Sequence, residues 1–292
     1  MVQLFSVNAS DASFNPVGPP NQAAGQSIMA QQLSDIDEVN KIFYVLSLNS
    51  TNNRVYLLGM SLKSGEIVRN ILLPIVETYW VGFGQSLVVN QNNGDVYVVG
   101  QESMNAKFVL LSINYETSQI TKLNEMQELI AIGSICGFDP KNNILWLEFA
   151  KNRSGVAEYD LYAFEPKSGK LITTIVNTEL MQTMEFDRKT GVMIGIGLKQ
   201  LSKTAFQRTI VTLDGSTFKM KTILNVQGNY VELNDIMGPI DYVNRILYCL
   251  MRPAAAKVFD FLMIDLDSGA ILNKVNMLGK RTPWNLQFLN NL

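Results

Sequence analysis

One phrase recurs along the chain. "GFDPKNNILWLEFA" at 137–150 returns as "EFDRKTGVMIGIG" at 185–197 and "PIDYVNRILYCLM" at 239–251: an apolar residue, an Asp, a short turn, then an apolar run. Repetition inside 292 residues restricts the chain to architectures that stack copies of one supersecondary unit. The acidic or amide anchors are Asp37, Asn90, Asp139, Asp187 and Asp241, at steps of 53, 49, 48 and 54 residues.

After each anchor comes an apolar run: "IFYVLSL", "VYVVG", "ILWLEF", "VMIGIGL" and "ILYCLM". A second run follows and ends in a turn, as in "YLLGMSLKSGE", "DLYAFEPKSGK" and "FLMIDLDSGA". Gly65, Gly169, Gly215 and Gly269 sit in these turns, where a positive φ suits glycine. One more β-rich segment, such as "KLITTIV", completes a four-stranded antiparallel meander. The central runs are apolar at nearly every position, so both faces of each unit must be covered. Units of about 40–50 residues with four strands, covered on both faces by neighbours, are the blades of a β-propeller.

The turns "LKSGEIV" and "FEPKSGKLI" resemble those of quinoprotein-type and related propeller repeats. The resemblance implies the fold alone, because the WD dipeptide is missing and no tryptophan motif recurs. The expected all-β fold is one domain over 1–292, with blades at about 29–74, 75–126, 127–178, 179–228 and 229–278. A composite sixth blade, 279–292 plus 1–28, is expected to close the ring. In it, "VQLFSVNAS" at 2–10 matches "IFYVLSLNS", "SFNPVG" at 13–18 matches "AFEPKSG", and a weak fourth strand falls within "PPNQAAG". Five blades plus a stray strand is the alternative.

Histidine is absent, which removes Ser-His-Asp and Cys-His chemistry, His-ligated metals and imidazole acid–base catalysis. Only Cys136 and Cys249 are present, both inside apolar runs, so free buried thiols are expected and no disulfide. A net charge of −2 without basic blocks argues against nucleic acid. No apolar run reaches the ~18 residues of a membrane helix. The first basic residue is Lys41, so the opening residues lack the n-region of a secretory signal, and a soluble, cytoplasmic protein is expected. The sequons at Asn8, Asn49 and Asn152 are incidental in that setting.

With strands lettered a to d from the axis outward, b–c hairpins and d–a connections share one rim. The hairpin regions contain Lys203 and Arg208 among many cations; the connections contain Glu77, Glu125, Glu128, Glu179, Glu232 and Asp235. That rim is expected to have an acidic centre and a basic periphery. Asp35 and Glu185 stand two residues before their anchors, in blades that oppose each other across a six-blade ring. With Asn234 they are candidate oxygen ligands for a hard cation such as Ca2+, with Gln287 nearby on another inner strand and Asp235 as a weak candidate base. The anchors themselves, used once per blade, are expected to fix turns through Asx-type hydrogen bonds. Tyr79 and Trp80, in "TYWVGFG" with Phe83, are candidate partner contacts beside Lys203 and Arg208.

Two functions fit these residues. The first is a non-enzymatic scaffold engaging a protein or small-molecule partner on one rim. The alternative is a divalent-metal-assisted hydrolase like the six-bladed lactonases and phosphotriesterases, an analogy from fold without a shared motif.

Overall fold

The computed structural model describes residues 2–21, 26–28, 34–49, 51–76, 86–103, 107–126, 134–153, 156–178, 180–200, 206–225, 236–251, 253 and 258–278. These are strands and turns, with no helix among them. Five antiparallel meanders follow one another. The first runs Ser34–Asp37, Ile42–Asn49, Arg54–Ser61 and Ile67–Val76, with Gln26–Ile28 extending its inner edge along the same partner strand. The second is Leu87–Val89, Val96–Gln101, Phe108–Ile113 and Ile120–Met126, and the third Ser134–Asp139, Ile144–Arg153, Val156–Phe164 and Leu171–Thr178. Leu180–Phe186, Val192–Gln200, Phe206–Asp214 and Lys219–Asn225 form the fourth; Ile236–Asp241, Ile246–Met251, Asp260–Asp265 and Ile271–Asn276 form the fifth. Together they make a β-propeller.

One six-residue turn explains the repeat. In it the first residue's carbonyl accepts the N–H of the fifth, and the fifth residue has positive φ, as in Gly65 N to Ser61 O at 2.8 Å. The a–b turns place Lys41, Gly94, Asn143, Gly191 and Arg245 at that position. The c–d turns place Ala12, Gly65, Ser118, Gly169, Phe218 and Gly269 there. Gly215 has a different task from the one expected of it. Phe218, with φ 57°, takes the left-handed position of its turn, and a Cβ on Gly215 would come within 2.0 Å of Asp139 Oδ2.

The anchors clamp the a–b turns as expected. Asp139 Oδ1 accepts the N–H groups of Lys141 and Asn142, both at 3.1 Å, and Oδ2 accepts Asn142 Nδ2 at 2.7 Å. Asp37 with Asn40, and Asp241 with Asn244, repeat the clamp; Asp187 uses Thr190 Oγ1 at 2.7 Å. Each blade's apolar faces are buried against its neighbours. Tyr44 and Leu57 of the first blade pack with Leu87 and Leu111 of the second, and Trp146 of the third packs with Met184 and Phe186 of the fourth. Cys136 lies in the core between blades two and three and Cys249 in that between four and five; both are buried and neither is in a disulfide.

The N-terminal hairpin, Val2–Val7 with Phe14–Asn21, is assembled differently from the expectation. Its reversal is the six-residue turn at Asn8–Ser13, so "FNPVG" is strand and Gly18 is a positive-φ kink within it. Asn21 Nδ2 donates to Gly65 O of blade one, as Asn124 of blade two donates to Gly169 O of blade three, which marks Phe14–Asn21 as an outermost strand. Leu4 packs on blade one, and Ala12 and Phe14 on blade five. The hairpin therefore packs against both the first and the fifth meander. The inner strand expected within 279–292 lies outside the described residues.

Asp139 is fully buried and holds three donors, so its loss orphans part-buried N–H groups beside the close-packed Gly191 and Gly215. Asp139→Ala should lower unfolding free energy by about 2–3 kcal/mol, and Asp139→Asn, which retains one acceptor oxygen, by less. Urea unfolding curves check both values.

Candidate functional site

The inner strands end around one cavity of about 160 Å³, lined by all five complete blades. Its walls come in layers set by distance from the anchors. The residue before each anchor supplies an apolar ring: Ile36, Val89, Phe138, Phe186 and Ile240. One step deeper come Asp35, Val88, Glu185 and Pro239. The residue after each anchor supplies the mouth: Glu38, Gln91, Pro140, Arg188 and Tyr242. The cavity thus opens on the rim of the a–b turns. The acidic centre was expected on the opposite rim, whose d–a connections lie almost wholly outside the described residues.

Arg188 crosses the mouth. Its Nη2 donates to Gln91 Oε1 at 2.7 Å and pairs with Glu38 Oε2 at 2.8 Å, tying blade four to blades two and one. Gln91 Nε2 in turn donates to Ile36 O at 2.6 Å. Beneath this bar lie two carboxyls with different partners. Asp35 accepts the Ile36 N–H on Oδ1 and the Val89 N–H on Oδ2, each at 2.7 Å, so it fastens the inner strand of blade one to that of blade two. Glu185 opens on the cavity and accepts no hydrogen bond among the described residues.

Electrostatics follow from burial. Desolvation pushes the Asp35 carboxyl up to about 7; the two N–H donors oppose the rise, and Glu38 and Asp37 add to it. Burial, then the charges of Asp35 and Glu38, raise Glu185 well above the usual carboxylate range, with Arg188 opposing. Tyr242 is raised by burial and then by Glu185 and Asp187. Cys136, close enough to feel Asp35, is raised chiefly by its burial, so its thiol stays protonated.

Of the residues singled out from sequence, the structure brings Asp35 and Glu185 into the same cavity. Asn234, Asp235, Gln287, Tyr79, Trp80, Phe83 and Lys203 lie outside the described residues, and Arg208 is placed only as a position in strand c of blade four. Among the described residues no three metal-ligating side chains converge. Glu38, Gln91, Arg188 and Tyr242 were missed. Their signal is positional: each directly follows an anchor, and this aligned column changes from blade to blade while the anchors hardly change.

No family model matches the chain, and no curated protein matches it. Solved structures do share its fold. The TolB protein of Acinetobacter baumannii superposes with a TM-score of 0.55 at 10% identity, over 86% of this chain and 54% of that one. An oligogalacturonate lyase in complex with manganese gives 0.55 at 8% identity, over 94% and 72%. The β-propeller domain of the Trilobed protease from Pyrococcus furiosus gives 0.52 at 8%, over 88% and 73%. The chain spans about half the length of the Acinetobacter protein, and identities this low show a common fold and nothing finer.

The raised carboxyls set a pH dependence. Stability from each is full below its unfolded value, 3.8 for Asp35 and 4.5 for Glu185, and is lost as pH rises through the raised folded value. The fold should therefore melt higher at pH 5 than at pH 8. Glu185→Gln should narrow that difference by raising the melting temperature mainly at pH 8; an unchanged difference would contradict the assignment.

Proposed function

We propose that this propeller is a non-enzymatic binding scaffold whose ligand enters the central cavity from the rim of the a–b turns. One observation supports the reading most: five blades converge five different side chains on one mouth, directly above anchors that are nearly invariant among the blades. A purely structural plug would require neither that variety nor a half-buried carboxyl left without a hydrogen bond. The partner is a small molecule or a side chain of a protein. Tyr79, Trp80, Lys203 and Arg208 belong to the proposal as contacts for a larger partner on the opposite rim.

The metal-assisted hydrolase stays as a second reading because Asp35 and Glu185 line one cavity. Both Asp35 oxygens already accept N–H groups, and Asn234 and Asp235 would have to complete the set. Calcium separates the readings. A site specific to the folded ring raises its melting temperature as metal is added. The scaffold reading expects no shift at millimolar calcium. It also expects fragments of a few heavy atoms, screened by NMR on methyl-labelled protein, to perturb Met184, Ile36 and Ile240 together. Fragments that touched only the outer faces of the blades would overturn it.

A further inference from the structure

The cavity specifies its ligand more narrowly than the scaffold reading does, on which this inference rests. At about 160 Å³ it falls below the ~300 Å³ at which pockets begin to enclose drug-sized molecules. One side chain or one small molecule fills it. Four carboxyl groups line it, Asp35, Glu38, Glu185 and Asp187, against two basic side chains, Arg188 and Lys189. Three of the four are committed: Asp35 to the N–H groups of Ile36 and Val89, Glu38 to Arg188, and Asp187 to the Thr190 hydroxyl and the Lys189 N–H of its own turn. Glu185 is not. A second polar group is under-satisfied: the Tyr242 hydroxyl oxygen is sealed from water and meets only a poorly aligned approach of the Ile194 backbone N–H. Buried polar atoms left so are costly and ask for an explanation.

The unsatisfied acceptors say what kind of donor is missing. Glu185 comes from blade four, Tyr242 from blade five, and Asp35, whose oxygens each have a lone pair to spare, from blade one. Acceptors spread around an axis suit a compact head with three donors that need not share a plane, which is an ammonium. A guanidinium wants its acceptors in one plane, and Arg188 already supplies one at the mouth. A calcium ion wants six or more oxygens, and no three ligating side chains meet among the described residues. The remaining wall, Ile36, Val88, Phe138, Met184, Phe186 and Ile240, is apolar and would cover an alkyl stem. The geometry points to a primary alkylammonium as the ligand, either a free amine or a lysine side chain of a partner, seated head-inward between Glu185, Asp35 and Tyr242.

Binding would carry a proton signature. Facing Glu185 are Asp35 and Glu38 from blade one, Asp187, Arg188 and Lys189 from its own blade, Tyr242 from blade five, and the Cys136 thiol of blade three behind Asp35. The acids outweigh the bases, so the empty site holds a proton that the arriving cation displaces to solvent. The ammonium keeps all its protons and no covalent bond changes.

Calorimetry on the whole chain tests this with n-butylamine, N-acetyl-lysine-N-methylamide and n-butanol, at pH 6 and 8 in buffers of different ionisation enthalpy. The expected result is binding of amine but not butanol, proton release to the buffer, and affinity at least about fivefold higher at pH 8. Tighter binding of butylamine points to a free amine, and tighter binding of the lysine derivative to a protein partner. Glu185→Gln should abolish both binding and proton release while melting as cooperatively as the parent. Tyr242→Phe should weaken binding severalfold and leave proton release intact. Equal binding of butanol, or amine binding unchanged by Glu185→Gln, overturns the proposal. If neutral or anionic fragments fill the cavity and amines do not, the ligand class fails and the scaffold stands; if nothing enters, both fail.

Discussion

The clamp made by an anchor carboxylate at the end of an inner strand is what the rest of the molecule depends on. Asp37, Asp139 and Asp241 each hold the backbone N–H three residues on, together with an Asn side chain, and so force the chain into a reversal it would not adopt unaided. The fifth residue of that reversal needs positive φ, and Lys41, Asn143 and Arg245 are held there without glycine. The reversal sends the second strand back against the first, which starts the meander. It also leaves the residue directly after the anchor at the ring axis. The fold and the site thus share one cause: a turn repeated for stability presents, in every blade, one position that is free to differ.

That division explains what could be read from sequence. Anchors, turns and doubly apolar strands repeat, and repetition survives in a single chain as a pattern, so the propeller was legible. Gly215 shows the limit of reading residue types alone. A glycine in a turn has two possible reasons, φ or proximity, and only the contact with Asp139 Oδ2 of the neighbouring blade shows which applies. The N-terminal hairpin failed for a related reason. Ala12 occupies the position that Gly65, Gly169 and Gly269 occupy elsewhere, so the turn carried no glycine while the strand after it did.

The site was half legible. Asp35 and Glu185 stood out as carboxylates at equivalent places, and the structure puts both on one cavity. The mouth leaves no pattern in the sequence, because Glu38, Gln91, Pro140, Arg188 and Tyr242 share a position beside the anchors and no residue type. Arg188 could be seen as a cross-ring partner only with blades one, two and four in place, since Glu38 and Gln91 precede it by far in the chain.

Asp35 and Glu185 then separate by what each does for the fold. Buried carboxylates serve elsewhere in this protein as staples between blades: Glu148 of blade three accepts the Met181 N–H of blade four with both oxygens, at 3.1 and 3.0 Å. Asp35 belongs to that class, because it joins blades one and two through Val89. Its unfavourable burial is offset, at least in part, by two charge-assisted hydrogen bonds. Glu185 has no such return. It stands half-buried on the cavity wall, repelled by Asp35 and Glu38, and opposed only by Arg188, which is itself engaged at the mouth. A Leu or Met in its place would continue the apolar wall formed by Met184 and Phe186 and would remove the repulsion. A carboxyl that burdens the fold and fastens nothing is accounted for by what enters the cavity, and Glu185 is therefore the residue on which binding should turn, with Asp35 the scaffold that holds the chamber's wall in place.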